Sequence, residues 1–257
     1  MKPVRILESR FTPWLLPVAL ITFWQILSKT GTLPERILPS PAAVSVSAWV
    51  LLKSGELLKH IAISSLRAFG GLAIGGTAGL VLGLVTGLNA TAFRLLDTPI
   101  QMLRTIPNLA LIPIVIVWFG IGEEARVFLI SVGVFFPLYV NTLHGIRNAD
   151  AGLVEMARVY GLSNRAVLTQ VILPASLPSI LNGLRLALGI MWVTLIAAET
   201  LAAEAGIGYM TYQAREFLRT DIVLVGILVY ALLGKLADVI SRGLERRLLP
   251  WHNAYAR

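Results

Sequence analysis

Six stretches of this chain run for about twenty residues with few charges, each closed off by charge, proline or glycine. About twenty helical residues at about 1.5 Å each match a hydrocarbon layer of about 30 Å. The six are Phe11–Leu27, Ser64–Leu88, Pro99–Phe119, Ala125–Leu143, Pro178–Ala198 and Ile222–Ser241. Only 14% of the 257 residues are charged, against about 25% in a soluble domain. Too little polar surface remains for a water-exposed body of this size. The net charge of +8 therefore reads as Lys and Arg held in cytoplasmic loops rather than as a nucleic-acid surface. The expected class is all-α, a polytopic membrane protein, and a soluble enzyme, a disordered chain and a nucleic-acid module are excluded.

The run Trp14–Leu27 is followed by Ser28-Lys29-Thr30-Gly31 with no small-x-small cleavage site, so it reads as an uncleaved first span. Pro41–His60 alternates apolar residues with Ser, Lys and Glu and reads as a helix lying in the interface. Six spans put both termini on one side. With the N-terminus inside, eleven basic residues are cytoplasmic (Lys2, Arg5, Arg10, Arg94, Arg147, Arg158, Arg165, Arg242, Arg246, Arg247, Arg257). Seven are outside (Lys29, Arg36, Lys53, Lys59, Arg126, Arg215, Arg219). The bias places both termini and the loop His144–Leu177 in the cytoplasm.

The second span carries Gly71, Gly75, Gly79, Gly83 and Gly87, one glycine every fourth residue along a single helical face. Such a face lets another helix approach backbone to backbone. A nucleotide-binding loop is excluded, since no strand precedes the run and no P-loop Lys follows. In the third span, Asp97-Thr98 offer cap oxygens ahead of Pro99. Pro107 and Pro113 then interrupt the helix near the midplane. Irregular backbone at that depth is either a packed kink or part of a lined path, with Thr105 and Asn108 the nearest polar groups. Arg67, Arg104, Arg185 and Glu199 lie within reach of a span end and can snorkel. Arg104 and Glu199 can instead line a route. Lys235 and Asp238, three apart, can neutralise each other.

No catalytic or metal constellation emerges. His60, His144 and His252 are isolated, Gly161-Leu162-Ser163-Asn164-Arg165 lacks the second glycine of a nucleophile elbow, and Gly234-Lys235 lacks the rest of a P-loop. Glu123-Glu124 reads as a solvated edge. If transport is ATP-driven, another polypeptide supplies the energy.

In the cytoplasmic loop, Asp150 can cap a helix, Gly161 can end it in the left-handed conformation, and Ser163-Asn164 restarts one before Pro174 and Pro178. The stub of about ten residues carries Leu153, Val154, Met156, Ala157 and Tyr160, which suit either its own bundle or a groove on a partner. This segment, Glu155-Met156-Ala157 through Gly161 to Val171-Ile172-Leu173-Pro174, resembles the EAA loop of permease subunits of binding-protein-dependent ABC importers. Met156 and Val171 stand where the family has Ala and Ile. Ile100–Pro113, Trp118–Ile121, Asn141–Asn148, Ala198–Tyr209, Ala214–Phe217 and Tyr230–Asp238 extend the likeness over nearly the whole chain. They are similar to the nitrate/sulfonate/taurine branch and, within it, to the aliphatic sulfonate permeases.

The resemblance implies a type I ABC importer permease of the bacterial inner membrane with six transmembrane helices. Residues 1–60 would form a peripheral span and interfacial helix, 61–245 the core with coupling loop 144–177, and 246–257 a cytoplasmic tail. It implies a second copy of the chain, two cytoplasmic ATPases and a periplasmic or lipid-anchored binding protein. ATP and Mg would reside on the ATPase, with no cofactor here. Glu155, Met156, Ala157, Tyr160, Gly161, Leu173 and Pro174 would couple to the ATPase. Arg104, Thr105, Asn108 and Glu199 are candidate pathway groups; Arg215, Glu216 and Arg219 are candidate contacts for the binding protein. The implied cargo is an aliphatic sulfonate, with taurine, nitrate or another small anion as alternatives. An ATP-independent secondary transporter would show inverted repeats and central ion sites, and neither is found.

Overall fold

The glycine face of the second span decides the packing. In a computed structural model, which describes residues 12–31 and 34–251, that span is α3 (Glu56–Leu88). It lies parallel to α6 (Glu123–Arg147), with Gly71 facing Ile130, Gly75 facing Ser131, Gly79 facing Phe135, Gly83 facing Thr142 and Gly87 facing Ile146. A side chain at Gly75 would overlap the Ser131 carbonyl, so the close approach depends on glycine. This is the small-xxx-small packing expected from the period.

On the other side of α6 runs α9 (Leu173–Ala202), antiparallel, with Gly133 against Ile190 and Thr194, Gly183 against Asn141, and Gly145 against Ser176 and Ser179. Ala68, Ile130, Val134, Leu138, Ala187, Leu188, Met191, Trp192 and Leu195 form the core between the three helices. Against α9 packs α11 (Thr220–Leu248), and α10 (Ile207–Glu216) packs against both. Large side chains such as Leu66, Ile74 and Leu232 point outward and are exposed. In lipid that arrangement has no hydrophobic cost.

The periphery departs from the sequence reading. Among the described residues, four helices are long and apolar enough to span, with a bent pair making a fifth, where the sequence suggests six. The first expected span is α1 (Thr12–Lys29), a shorter apolar helix; Phe11, Lys2, Arg5, Arg10 and residues 252–257 of the expected tail lie outside the described residues. The expected interfacial helix ends early. Its counterpart α2 (Pro41–Lys53) is capped by Ser40, whose Oγ accepts from Ala43 N at 3.1 Å. Gly55 then takes φ +80°, and α3 begins at Glu56 rather than Ser64, so His60 belongs to a span.

The third span is not one helix. Its first arm α4 (Ala90–Arg104) starts on Asn89, whose Oδ1 accepts from Thr91 N at 2.8 Å and Ala92 N at 3.1 Å. Asp97 is not the cap: it accepts from Gln101 Nε2 at 3.2 Å and from the Tyr139 hydroxyl at 3.1 Å, leaving Pro99 inside the helix. After Thr105–Pro107 the chain turns by 90°, passes a 3-10 turn (Asn108–Leu111) and ends as α5 (Ile112–Phe119), with Pro113 in its first turn. Pro107 and Pro113 produce the break the sequence predicts.

Gly75→Val should lower the thermal midpoint of the purified protein in detergent, by an overpacking cost of about 3 kcal/mol. Gly70 has open space around it, so Gly70→Ala should leave the midpoint unchanged or slightly higher. Equal midpoints for the two variants would dismiss the α3–α6 contact.

Candidate functional site

Three regions carry the candidate residues. The first is α7 (Ala151–Val159), between α6 and α9. Asp150 Oδ1 accepts from Gly152 N at 2.7 Å, and the helix closes with Gly161 N on Arg158 O (2.9 Å) and Leu162 N on Ala157 O (3.1 Å). Gly161 stands at φ +81°, where a side chain is strained. Ser163 then caps α8 (Asn164–Val167), which passes through a π-turn (Leu168–Ile172) into α9 at Leu173-Pro174. Asn164–Thr200 is thus one continuous helix of 37 residues.

Ala157 faces inward and is buried, while Glu155, Met156 and Tyr160 point outward. Val159, at 83% exposed, is the most exposed large apolar side chain of the knob. The sequence reading left it out of the candidate set, though its place beside Tyr160 could have flagged it. An apolar surface this open on a nine-residue helix is suited to a partner's groove.

The second region is a cavity of about 430 Å³ at the broken span. It brings Arg104, Thr105 and Asn108 together with Gly133 and Asn141. Asn108 Nδ2 donates to Leu129 O (3.3 Å) and to Thr194 Oγ1 (3.2 Å), tying the irregular segment to α6 and α9. Any side chain at Gly133 would meet the Asn108 amide. Pro137 denies the Gly133 carbonyl its helical N–H, and both residues line the cavity. Deeper on the same seam, Asn182 Nδ2 donates to Asn141 Oδ1 (3.0 Å) and Ser179 Oγ to Asn141 O (2.7 Å). These partners were not singled out from sequence, because their meeting depends on which faces of α6 and α9 pair.

Glu199 is elsewhere. Its side chain is fully enclosed and accepts from Arg67 Nη1 (2.8 Å), Ser64 Oγ (2.7 Å), Gly208 N (2.8 Å) and the Tyr230 hydroxyl (3.3 Å). Arg67 and Glu199 therefore do not snorkel, and Glu199 does not line the cavity of Arg104. A buried charge needs a counter-charge and filled hydrogen-bond sites, and each supplies the other's. Arg67 also reaches Glu123, which pairs with Arg126 as well; the Glu123-Glu124 edge is exposed as expected, but Glu123 is held by two cations. Arg185 likewise turns to Asp238 (2.7 Å), which gathers Lys235 (3.5 Å) and Arg242 as well, so the expected Lys235–Asp238 pair is part of a larger cluster.

The third region is the end of α10 and its junction with α11. Arg215 pairs with Glu216 (3.3 Å) and stacks over Tyr212; Arg219 pairs with Asp221 (3.0 Å). Between them Phe217 and Leu218 are 73% and 62% exposed, and Leu218 holds φ +56°, a conformation usually left to glycine. From the sequence, Phe217 enters only as part of the Ala214–Phe217 likeness, and the exposure of the apolar pair beside Arg215, Glu216 and Arg219 is seen in the structure alone.

Glu199→Leu should destabilise the purified protein by about 3 kcal/mol, the cost of breaking a buried pair, and adding Arg67→Met should restore part of it. Unfolding in detergent measures both; additive losses would mean the two charges do not share one interaction.

Comparison with known proteins accords with this architecture. A family model described as the inner membrane component of binding-protein-dependent transport systems matches residues 75–250. The chain is 58% identical, over 98% of its length and 96% of the relative's, to the putative aliphatic sulfonates transport permease protein SsuC of Escherichia coli (strain K12). It is 35% identical to the taurine transport system permease protein TauC of the same organism, with 96% of both chains covered. Among solved structures, an amino acid ABC transporter crystallised with histidines aligns with TM-score 0.56 at 18% identity, covering 76% of this chain and 97% of that one. The inward-facing MetNI methionine ABC transporter aligns with TM-score 0.53 at 22% identity, covering 76% and 96%. The chain belongs to the family of inner-membrane components of binding-protein-dependent transport systems.

Proposed function

We propose that this chain is the translocation subunit of an ATP-driven importer that carries aliphatic sulfonates inward by alternating access. The observation that carries the cargo is the 58% identity over 98% of the chain to a protein named as an aliphatic sulfonates transport permease. The taurine permease, at 35%, is a more distant match. The chain performs no chemistry of its own. A separate pair of ATPases, holding ATP and Mg, docks on α7 through Met156, Val159 and Tyr160, with Glu155, Ala157, Gly161, Leu173 and Pro174 shaping and anchoring the knob. The exposed apolar face of α7 supports this reading.

Two copies of the chain form the pore. No residue of α4 is buried in a single copy, and an apolar cleft of about 740 Å³ lies between α4–α5 and α3–α6. Both features suit a second copy. Both termini and α7 face the cytoplasm, and the binding protein approaches the opposite side through Arg215, Glu216 and Arg219. Within the membrane, Arg104, Thr105 and Asn108 supply the cation and the polar groups an anion needs along its route.

Arg104→Ala should reduce sulfonate uptake severalfold in cells while the ATPase still copurifies from detergent; unchanged uptake would remove Arg104 from the route. Tyr160→Asp should abolish copurification of the ATPase without altering the thermal midpoint, since Tyr160 is 77% exposed. Gly161→Val should leave the protein inserted yet uncouple hydrolysis from uptake, and normal coupling in that variant would refute the docking role.

A further inference from the structure

Two enclosed cations near the outer end of the bundle share one exposed partner. The side chains of Arg67 and Arg126 are 5% and 8% exposed, while that of Glu123 is 58% exposed. Arg67 Nε donates to Glu123 Oε2 (2.6 Å), Arg67 Nη2 to Glu123 Oε1 (2.5 Å), and Arg126 Nη1 to that same Oε1 (2.7 Å). Three N–H groups thus converge on two carboxylate oxygens. They do so at a cavity of about 450 Å³, whose wall also includes Ile63, Ile121 and Glu204.

Arg67 is held from behind by Glu199 Oε1 (2.8 Å) and the Ala205 carbonyl (2.5 Å), so its outward fork keeps its aim whatever occupies it. Glu123 is the first residue of α6, just after Gly120 at φ +72°, and its carboxylate meets solvent. Buried guanidinium groups are costly to leave without counter-charge. Arg67 keeps Glu199 when Glu123 leaves, and an incoming anion can take up the contacts that Glu123 gives up.

The geometry points to an exchangeable anion seat at the outer mouth, in which the head group of an alkanesulfonate replaces Glu123 on Arg67 and Arg126. This rests on the sulfonate reading above. A sulfonate offers three oxygens where a carboxylate offers two, so each of the three converging N–H groups gains an acceptor of its own. The N-terminus of α6 adds a field that favours the incoming charge. The exposed Glu204 in the wall repels a second negative charge, which selects a singly charged head group. Glu123 then acts as the resident counter-ion of the empty seat, displaced as cargo arrives and bridges Arg67 on α3 to Arg126 on α6.

Titration calorimetry on the purified full-length chain in detergent, at fixed chloride, tests the seat with ethanesulfonate and propionate as probes. Glu123→Gln removes the competing charge and should bind ethanesulfonate at least about tenfold more tightly than the unaltered chain. Propionate, with two oxygens, should gain less. Equal or weaker ethanesulfonate binding in the variant, or an equal gain for both probes, would overturn the seat. The titration needs neither ATPase nor binding protein. A chain that binds the probe but imports no sulfonate into cells would refute the import reading alone, and the converse result would refute the seat alone.

Discussion

Everything in this bundle is built on the contact between α3 and α6. Water drives helices together in a soluble core, but lipid is as apolar as the side chains it meets, so association depends on close packing and on polar groups shared between helices. Five glycines in a row of fourths provide the first, and they let two parallel helices run side by side from Gly71 and Ile130 to Gly87 and Ile146. A parallel pair needs a connection that returns across the layer, and α4, the sharp turn and α5 make that return. The irregular segment is thereby fixed against α6, where Asn108 takes hold of the Leu129 carbonyl.

Polar contacts then divide the bundle by depth. At one end of the bundle, Arg67 and Glu199 join α3 to α9, Tyr230 brings in α11, and the amides of Gly206 and Gly208 bring in the start of α10 through His60 and Glu199. Five helices, counting α6 through Glu123, meet at one ionic knot. Toward the other side the contacts are lighter: Asn141 with Asn182 and Ser179, then the small-residue approach of Gly145 to Ser176. Beyond them α7 stands outside the bundle with most of its apolar surface uncovered.

What could be read from the sequence was what depends on local spacing. The glycine period, the Asp150 cap with its Gly161 stop, and the disruption at Pro107 each depend on residues a few positions apart, and each has its counterpart in the structure. The errors have the same origin. Asp97-Thr98-Pro99 has the local form of a helix start, yet Asn89 begins the helix eight residues earlier and Asp97 is drawn to Tyr139, 42 residues away. Arg67 and Glu199 each sit near the end of a hydrophobic run, where snorkelling is the natural reading. Their pairing across 132 residues is decided by how three helices cross. The cavity followed a mixed course, since the break gave Thr105 and Asn108 but not Gly133 or Asn141 in the wall, nor Thr194 as the partner of Asn108.

The π-turn at Leu168–Ile172 joins the stretch after α7 to α9 without interrupting the rod. At about 1.5 Å per residue, 37 residues make a bar of about 55 Å. Pivoted at its Asn164 tip, a tilt of only about 5° would sweep the far tip through about 5 Å, roughly the height of one helical turn. A displacement at the stub that tilted this helix as a rigid body would thus be geared up along it and arrive as a larger one beside Glu199, where the bundle is most tightly knotted.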